Sequence, residues 1–291
     1  MKRGFFAILF VSTFQFLSSQ IVQELRYGNF NFILHLTKNE LFTEAEREKE
    51  RFFSRQDVDQ LYKDSVNFIL GMSYRNADRK EIARTRLMEV SSETFLYYKS
   101  HYLAGILDAE MEKPDSCLKT FLGIELSDNK DLNELKEFEV AGAFLLNKDL
   151  RSYDSVSKRT VFTNTLLIEE HEKLNKCYAV QKKIKRRSAF AAGALSAVIP
   201  GLGKVYAGNN GQALASFLTV GLMAGITAEN YIRLGIEHPQ TIFFAGMFSL
   251  FYIGNIWGSA VSVQVVKIEK EFENKHNILV GLKLPVSKFF R

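Results

Sequence analysis

SVNFILGMSYRNADRKEIARTRLMEV, Ser65 to Val90, carries two apolar stripes at helical spacing: Phe68, Ile69, Met72 and Tyr74 on a first helix, then Ile82, Ala83, Leu87 and Val90 on a second that returns along it. A match follows in YKSHYLAGILDAEMEKPDSCLKTFLGI, Tyr98 to Ile124. Gly71 aligns with Gly105, Ala83 with Cys117 and Val90 with Ile124, each 34 residues apart. A fixed offset of this size marks one supersecondary unit used repeatedly, each copy too small to bury its apolar face alone and therefore stacked on the next.

With a small residue in the first helix of each pair, the pattern resembles tetratricopeptide repeats. A third copy is expected in Glu137 to Arg159, with Gly142 in the place of Gly105, and a degenerate first copy between Val22 and Phe53. The family's usual tryptophan is missing, and Pro114 is the one proline from Ile21 to Arg187. The resemblance implies an arc whose concave side holds a protein or peptide partner, with Asn67, Tyr74, His101 and Asp108 as groove candidates. At each of these positions a plain core-edge or solvated role is the competing reading.

Outward from the repeats (21–160), the segment 161–187 reads as a long charged helix, with Leu166, Leu167, His171, Leu174 and Tyr178 near one face. It ends in KKIKRR, Lys182 to Arg187, which contributes to a net charge of +5. A basic block beside an apolar region suits anionic headgroups better than nucleic acid. The region 188–270 is nearly free of charge and is expected to form a membrane domain. Two spans are expected at 212–231 and 241–266, and Ala189 to Gly203 is too short to span alone. The pairs Gly221/Gly225 and Gly254/Gly258 predict close packing within that hairpin, and Asn255 predicts a polar tie between helices. The tail, 271–291, contains NILVGLKLPVSKFFR and suggests a short strand.

At the other end, residues 1–20 have Lys2 and Arg3, an apolar run and a small polar Ser18-Ser19-Gln20, the layout of a secretory signal peptide; an uncleaved anchor is the other reading. The two cysteines, Cys117 and Cys177, make no disulfide framework and are expected as buried thiols rather than a pair.

PGLGKVYAG at Pro200 to Gly208, followed by FYIGNIWGSAVSV at Phe251 to Val263, resembles a small bacterial membrane domain of unknown function that carries PGLGQxYxG and a later YxGNIYGA-like motif, often behind tetratricopeptide-like repeats in envelope proteins. Lys204 replaces its usual Gln, and Trp257 its frequent Tyr. The motif residues carried over are Pro200, Gly201, Gly203, Tyr206, Gly208, Gly254, Asn255 and Gly258. The resemblance covers about 30% of the chain and implies an architecture, not a chemistry.

Enzyme motifs fail on inspection. The glycines are no phosphate-binding loop, because Val198 stands five positions before Gly203 and Val205 follows Lys204 where Ser or Thr is required. The five histidines are scattered, Glu169 to Glu172 point around one helix, and no GxSxG is present. The expectation is therefore an all-α chain of tetratricopeptide-like hairpins followed by a C-terminal transmembrane hairpin. Its function reads as a non-enzymatic scaffold or adaptor in a bacterial inner membrane, with no cofactor and no metal. The basic flanks of the hairpin favour its ends in the cytoplasm, but the signal layout favours a periplasmic repeat domain and is given precedence. The alternative is a small transporter or channel component with Asn255 and Glu229 lining a polar path.

Overall fold

The computed structural model describes residues 28–54, 58–185 and 187–290. The signal-peptide reading of residues 1–20 lies outside them. The described residues form helices and no strand, and the chain divides into two compact units: residues 1–126 with Phe290, and residues 127–289 with Arg291.

The described residues of the first unit form three helical hairpins: α1 (Gly28–Lys38) with α2 (Phe42–Phe53), α3 (Gln60–Asn76) with α4 (Lys80–Met88), and α5 (Leu96–Glu110) with α6 (Pro114–Gly123). The degenerate first copy is thus a full hairpin. Gly71 and Gly105 set how closely the paired helices approach. A Cβ on Gly71 would stand 2.7 Å from Leu87, and one on Gly105 would stand 2.2 Å from the Phe121 ring. Leu87 and Phe121 are themselves 34 residues apart, so the repeat includes the knob as well as the hole. Ion pairs link successive hairpins, with Arg86 on Glu46 at 2.9 Å and Lys80 on Glu110 at 3.3 Å.

The hairpin turns share one geometry. Glu40, Asp78 and Glu112 each adopt a left-handed φ near 58°. The residue after each donates its N–H back to the carbonyl five positions earlier: Leu41 to Leu36 at 3.0 Å, Arg79 to Tyr74 at 2.9 Å and Lys113 to Asp108 at 3.0 Å. This is a Schellman ending, which satisfies carbonyls that a helix C-terminus leaves unpaired.

The second unit opens with a fourth hairpin, α7 (Lys130–Leu146) and α8 (Leu150–Arg159). Its turn has Lys148 at φ 59° and Asp149 donating to Phe144 at 2.9 Å. Counting seven residues back from each turn gives Ile33, Gly71, Gly105 and Ala141, so Ala141 rather than Gly142 holds the repeat position. Gly142 serves another contact: a Cβ there would meet Leu282 at 2.2 Å. The expected charged helix is α9 (Thr165–Lys185), followed by the short α10 (Ala189–Val198) and α11 (Leu202–Ala207).

Among the described residues two helices are long and apolar enough to cross a membrane, α12 (Asn210–Leu234) and α13 (Pro239–Phe289). The expected span 241–266 is only the first half of α13, which runs 51 residues, about 76 Å at 1.5 Å per residue. The tail is therefore helix, not strand. Ile278, Leu282 and Val286 are buried at four-residue steps along one face. This half of α13 packs on the fourth hairpin and on α9: Asn274 donates to the Cys177 carbonyl at 3.1 Å, Lys148 in the turn after α7 pairs with Glu271 at 2.6 Å, and a Cβ on Gly281 would stand 3.6 Å from Leu174. Cys117 and Cys177 are both buried thiols and form no disulfide with each other.

Candidate functional site

The two sequence motifs, 54 residues apart, meet in one site. Ser188 caps α10, and the helix stops at Ile199 because Pro200 has no N–H to donate and its ring blocks a further turn. Gly201 then takes φ 85°, where a Cβ would stand 2.3 Å from the Ala213 carbonyl oxygen. α11 ends at Gly208, φ 90°, and Asn209 caps α12 by accepting from Gln212 N–H at 3.3 Å.

α10 and α11 consequently fold back on each other. Their closest approach is at Gly203, where a Cβ would be 1.9 Å from the Ala192 carbonyl oxygen and no other residue fits. The base of this small hairpin is closed by Ser188 N–H donating to the Tyr206 hydroxyl at 3.1 Å and Arg187 Nη1 donating to the Ala207 carbonyl at 2.5 Å. Its tip is closed by Gly203 N–H donating to Ser196 Oγ at 2.9 Å.

α13 holds the tip through side chains. Asn255, 5% exposed, accepts the Gly201 N–H at 3.0 Å and donates to the Ser196 carbonyl at 3.2 Å. Ser259 shares a 2.7 Å hydrogen bond with Ser196 and donates to the Asn255 carbonyl at 2.8 Å. Tyr252 donates its hydroxyl to the Ala197 carbonyl. Below this polar knot Ala192, Ala207 and Val263 form a small apolar contact with Ala189 and Tyr206 packed on it. A turn leaves backbone polar groups unpaired, and in an apolar setting each one costs energy unless a partner is supplied. Asn255 and the Ser196 hydroxyl supply those partners, and Ser259 holds the Ser196 hydroxyl in place. The arrangement positions backbone and offers no acid, base or nucleophile.

The polar tie expected of Asn255 is therefore present, and it holds the Pro200–Gly201 turn. The glycine pairs behave otherwise. Cβ atoms on Gly221, Gly225 or Gly254 would meet nothing within 4 Å, so none brings α12 and α13 together. A Cβ on Gly258 would find only the Lys204 side chain, at 3.8 Å. Counting from the helix ends at the connecting loop, Asn255 and Glu229 are separated by about 16 Å along the antiparallel pair, and Glu229 is ion-paired with Arg233 at 3.1 Å. Near that loop the two helices enclose an apolar cleft of about 300 Å³, lined among others by Ala224, Tyr231, Thr241 and Phe248.

The outer surfaces of this region are apolar. Phe190 is 86% exposed and Trp257 75%, and Phe217, Leu218, Leu222, Phe243 and Leu250 are exposed with them. Ser196 and Ser259, the residues missed from sequence, interrupt apolar runs and so left a visible mark, but their pairing across 63 positions left none.

In the first unit, the four groove candidates are interior residues. Asp108 is fully buried, bonded by Arg84 at 2.7 Å and by the Thr120 hydroxyl at 2.8 Å. Tyr74 stacks on Phe42 at 4.6 Å, and its hydroxyl is pushed up to about 12 by burial and then by Glu46. His101 packs on Tyr97 with Nδ1 3.0 Å from that residue's carbonyl, and burial lowers its pKa. Asn67 is buried in α3. All four are withdrawn from the surface; among the described residues of the first unit the most exposed large apolar side chains are Phe95, Leu122 and Leu126, at 62%, 52% and 73%. Tyr98 ties the Leu126 segment to α5 by donating to the Leu126 carbonyl at 3.2 Å. Among the described residues no three His, Cys, Asp or Glu side chains gather as metal ligands. No family model matches the chain, and comparison with curated proteins and with solved structures finds no match either.

Proposed function

We propose that the chain is a non-enzymatic, membrane-anchored envelope protein whose tetratricopeptide-like hairpins bind a protein or peptide, while residues 188–270 anchor it in a bacterial inner membrane. The observation that carries this reading is the inverted polarity of the apolar region. The buried Ser196, Asn255 and Ser259 are paired inside, and its large apolar side chains face outward along two helices, with only 11% of the residues buried in the most apolar window of each. Water does not support so large a contiguous apolar surface, and a bilayer does.

In a bilayer, α12 and α13 are the crossings and α10–α11 a re-entrant hairpin. Asn255 lies 11 residues from Val266 and 14 from Thr241, about 16 Å and 21 Å along the helix, so the Pro200–Gly201 turn reaches near the middle of the hydrocarbon. Irregular backbone at that depth requires protein partners, which Asn255 and the Ser196 hydroxyl provide. The second half of α13 packs on α7 and α9, so both ends of the membrane segment return to the side of the fourth hairpin. The signal-peptide layout of the N-terminus assigns that side to the periplasm. The four equivalent turns and the Gly71/Gly105 holes support the repeat reading, and Phe95, Leu122 and Leu126 supply the surface for a partner.

The test uses the full-length protein in its own cells, with a photo-crosslinking amino acid at Phe95 or Leu126. The expected result is a discrete protein adduct from both positions in an alkaline-washed membrane fraction. Recovery in the membrane with no protein adduct at either position contradicts the scaffold role. Release by the alkaline wash contradicts the anchor.

A further inference from the structure

Lys204 is the one charged residue between Arg187 and Glu229. It lies on α11, inside the re-entrant hairpin, and its ammonium donates to Ser216 Oγ on α12 at 2.6 Å while its stem runs past Gly258 on α13. An ammonium has three donors, and among the described residues no carboxylate lies within ion-pairing distance of this one. Ser216 is six residues into α12 and Gly258 eight residues short of Val266. The charge is thus held about 9–12 Å inside the apolar zone, where an uncompensated cation is costly and marks a site.

A second cation stands above it. Arg187 spends one of its five donors on the Ala207 carbonyl, and its guanidinium lies 3.2–3.6 Å from where a Cβ on Gly208 would be. No carboxylate pairs with it among the described residues. Lys270, close enough to sense Arg187 electrostatically, and Lys267 follow on α13, where each is ion-paired, with Glu273 at 2.9 Å and with Glu271 at 3.9 Å. Arg187 therefore stands at the base of the hairpin and Lys204 carries positive charge inward, both without a carboxylate partner among the described residues. Phosphate, with several oxygens to share between an arginine fork and an ammonium, is the anion this arrangement suits.

We propose that Lys204 and Arg187 form a binding site for the phosphate of an anionic phospholipid, drawn inward along the re-entrant hairpin. The proposal rests on the membrane reading. Its test is native mass spectrometry of the full-length protein in detergent with phosphatidylglycerol or phosphatidylcholine. The wild type is expected to retain phosphatidylglycerol preferentially. Lys204→Gln and Lys204→Met are each expected to lower that preference about fivefold, the effect of one headgroup-level cation. Lys204→Arg should keep it, as should the double change Lys182→Gln/Lys183→Gln. Equal retention of the two lipids by the wild type, or a preference indifferent to both uncharged variants at Lys204, overturns the proposal. Abolition of the preference by inorganic phosphate assigns the site to the free anion and overturns the lipid. A chain that stays soluble without detergent contradicts the membrane reading instead, a separate result.

Discussion

The hairpins of the first unit and the apolar region of the second are held together by opposite means. In the hairpins, Leu107, Phe121 and Tyr102 are fully buried and charged pairs such as Arg86–Glu46 lie at the periphery. Burial of apolar surface from water supplies the stability there, at about 25 cal/mol per Å². In the apolar region the large side chains are outside, and the interior holds mainly glycine, alanine and serine, with Asn255, Thr241 and the valines Val220, Val263 and Val266. Close backbone approach and a few hydrogen bonds have to do there what the hydrophobic effect does elsewhere. Small residues such as Gly71 and Gly105 therefore adjust a packing that apolar burial drives in one region, and carry the packing themselves in the other.

The sharpest way to break this contrast is at the glycines of the apolar region. Gly203→Val is expected to cost about 3 kcal/mol or more, because the added atoms collide with backbone that cannot yield. Gly225→Ala, in the same region, should stay within about 0.5 kcal/mol, because nothing stands near it. Thermal unfolding of both variants in one detergent checks the pair, and equal effects would erase the distinction between close approach and open surface. Next in size is Asn255→Ala, expected to cost about 2 kcal/mol by leaving the Gly201 N–H and Ser196 carbonyl unpaired. The same melt checks it, and Asn255→Asp, which keeps the acceptor but loses the donor, should fall no closer to wild type than halfway.

A smaller effect sits in the fourth hairpin. Glu139 is fully buried on α7 with neither carboxyl oxygen hydrogen-bonded, and burial raises its pKa well above the ordinary carboxylate value. The folded chain keeps this proton at pH values where the unfolded chain has released it. Stability tied to Glu139 is therefore full below the unfolded pKa of about 4.3 and falls as pH rises above it. Glu139→Gln should raise the midpoint at pH 7 and flatten the decline between pH 5 and 7. A variant that melts lower at pH 7 than wild type would show that the carboxyl has a partner worth keeping.

Much of the first unit could be read from residues alone, because its period is local: Gly71, Gly105, Leu87 and Phe121 repeat at 34 positions. The turns escaped notice because their left-handed positions are filled by Glu40, Asp78, Glu112 and Lys148, where glycine is the usual mark. Gly142 misled for the converse reason, since a glycine signals close approach without naming the partner, here Leu282. The same ambiguity undid the Gly221/Gly225 pair. In the tail, Gly281 and Pro285 concealed the stripe of Ile278, Leu282 and Val286. The motif residues were legible, but not that Asn255 bonds Gly201, because no periodicity connects positions so far apart.

The central claim is that the membrane segment leaves and returns on one side, with only the loop between α12 and α13 on the other. Reporters fused after Lys176, Arg233 and Lys288 test it directly. The account predicts that Lys176 and Lys288 report the same compartment and Arg233 the opposite one. Lys176 and Lys288 in opposite compartments would contradict it, because α13 could not then pack on α9.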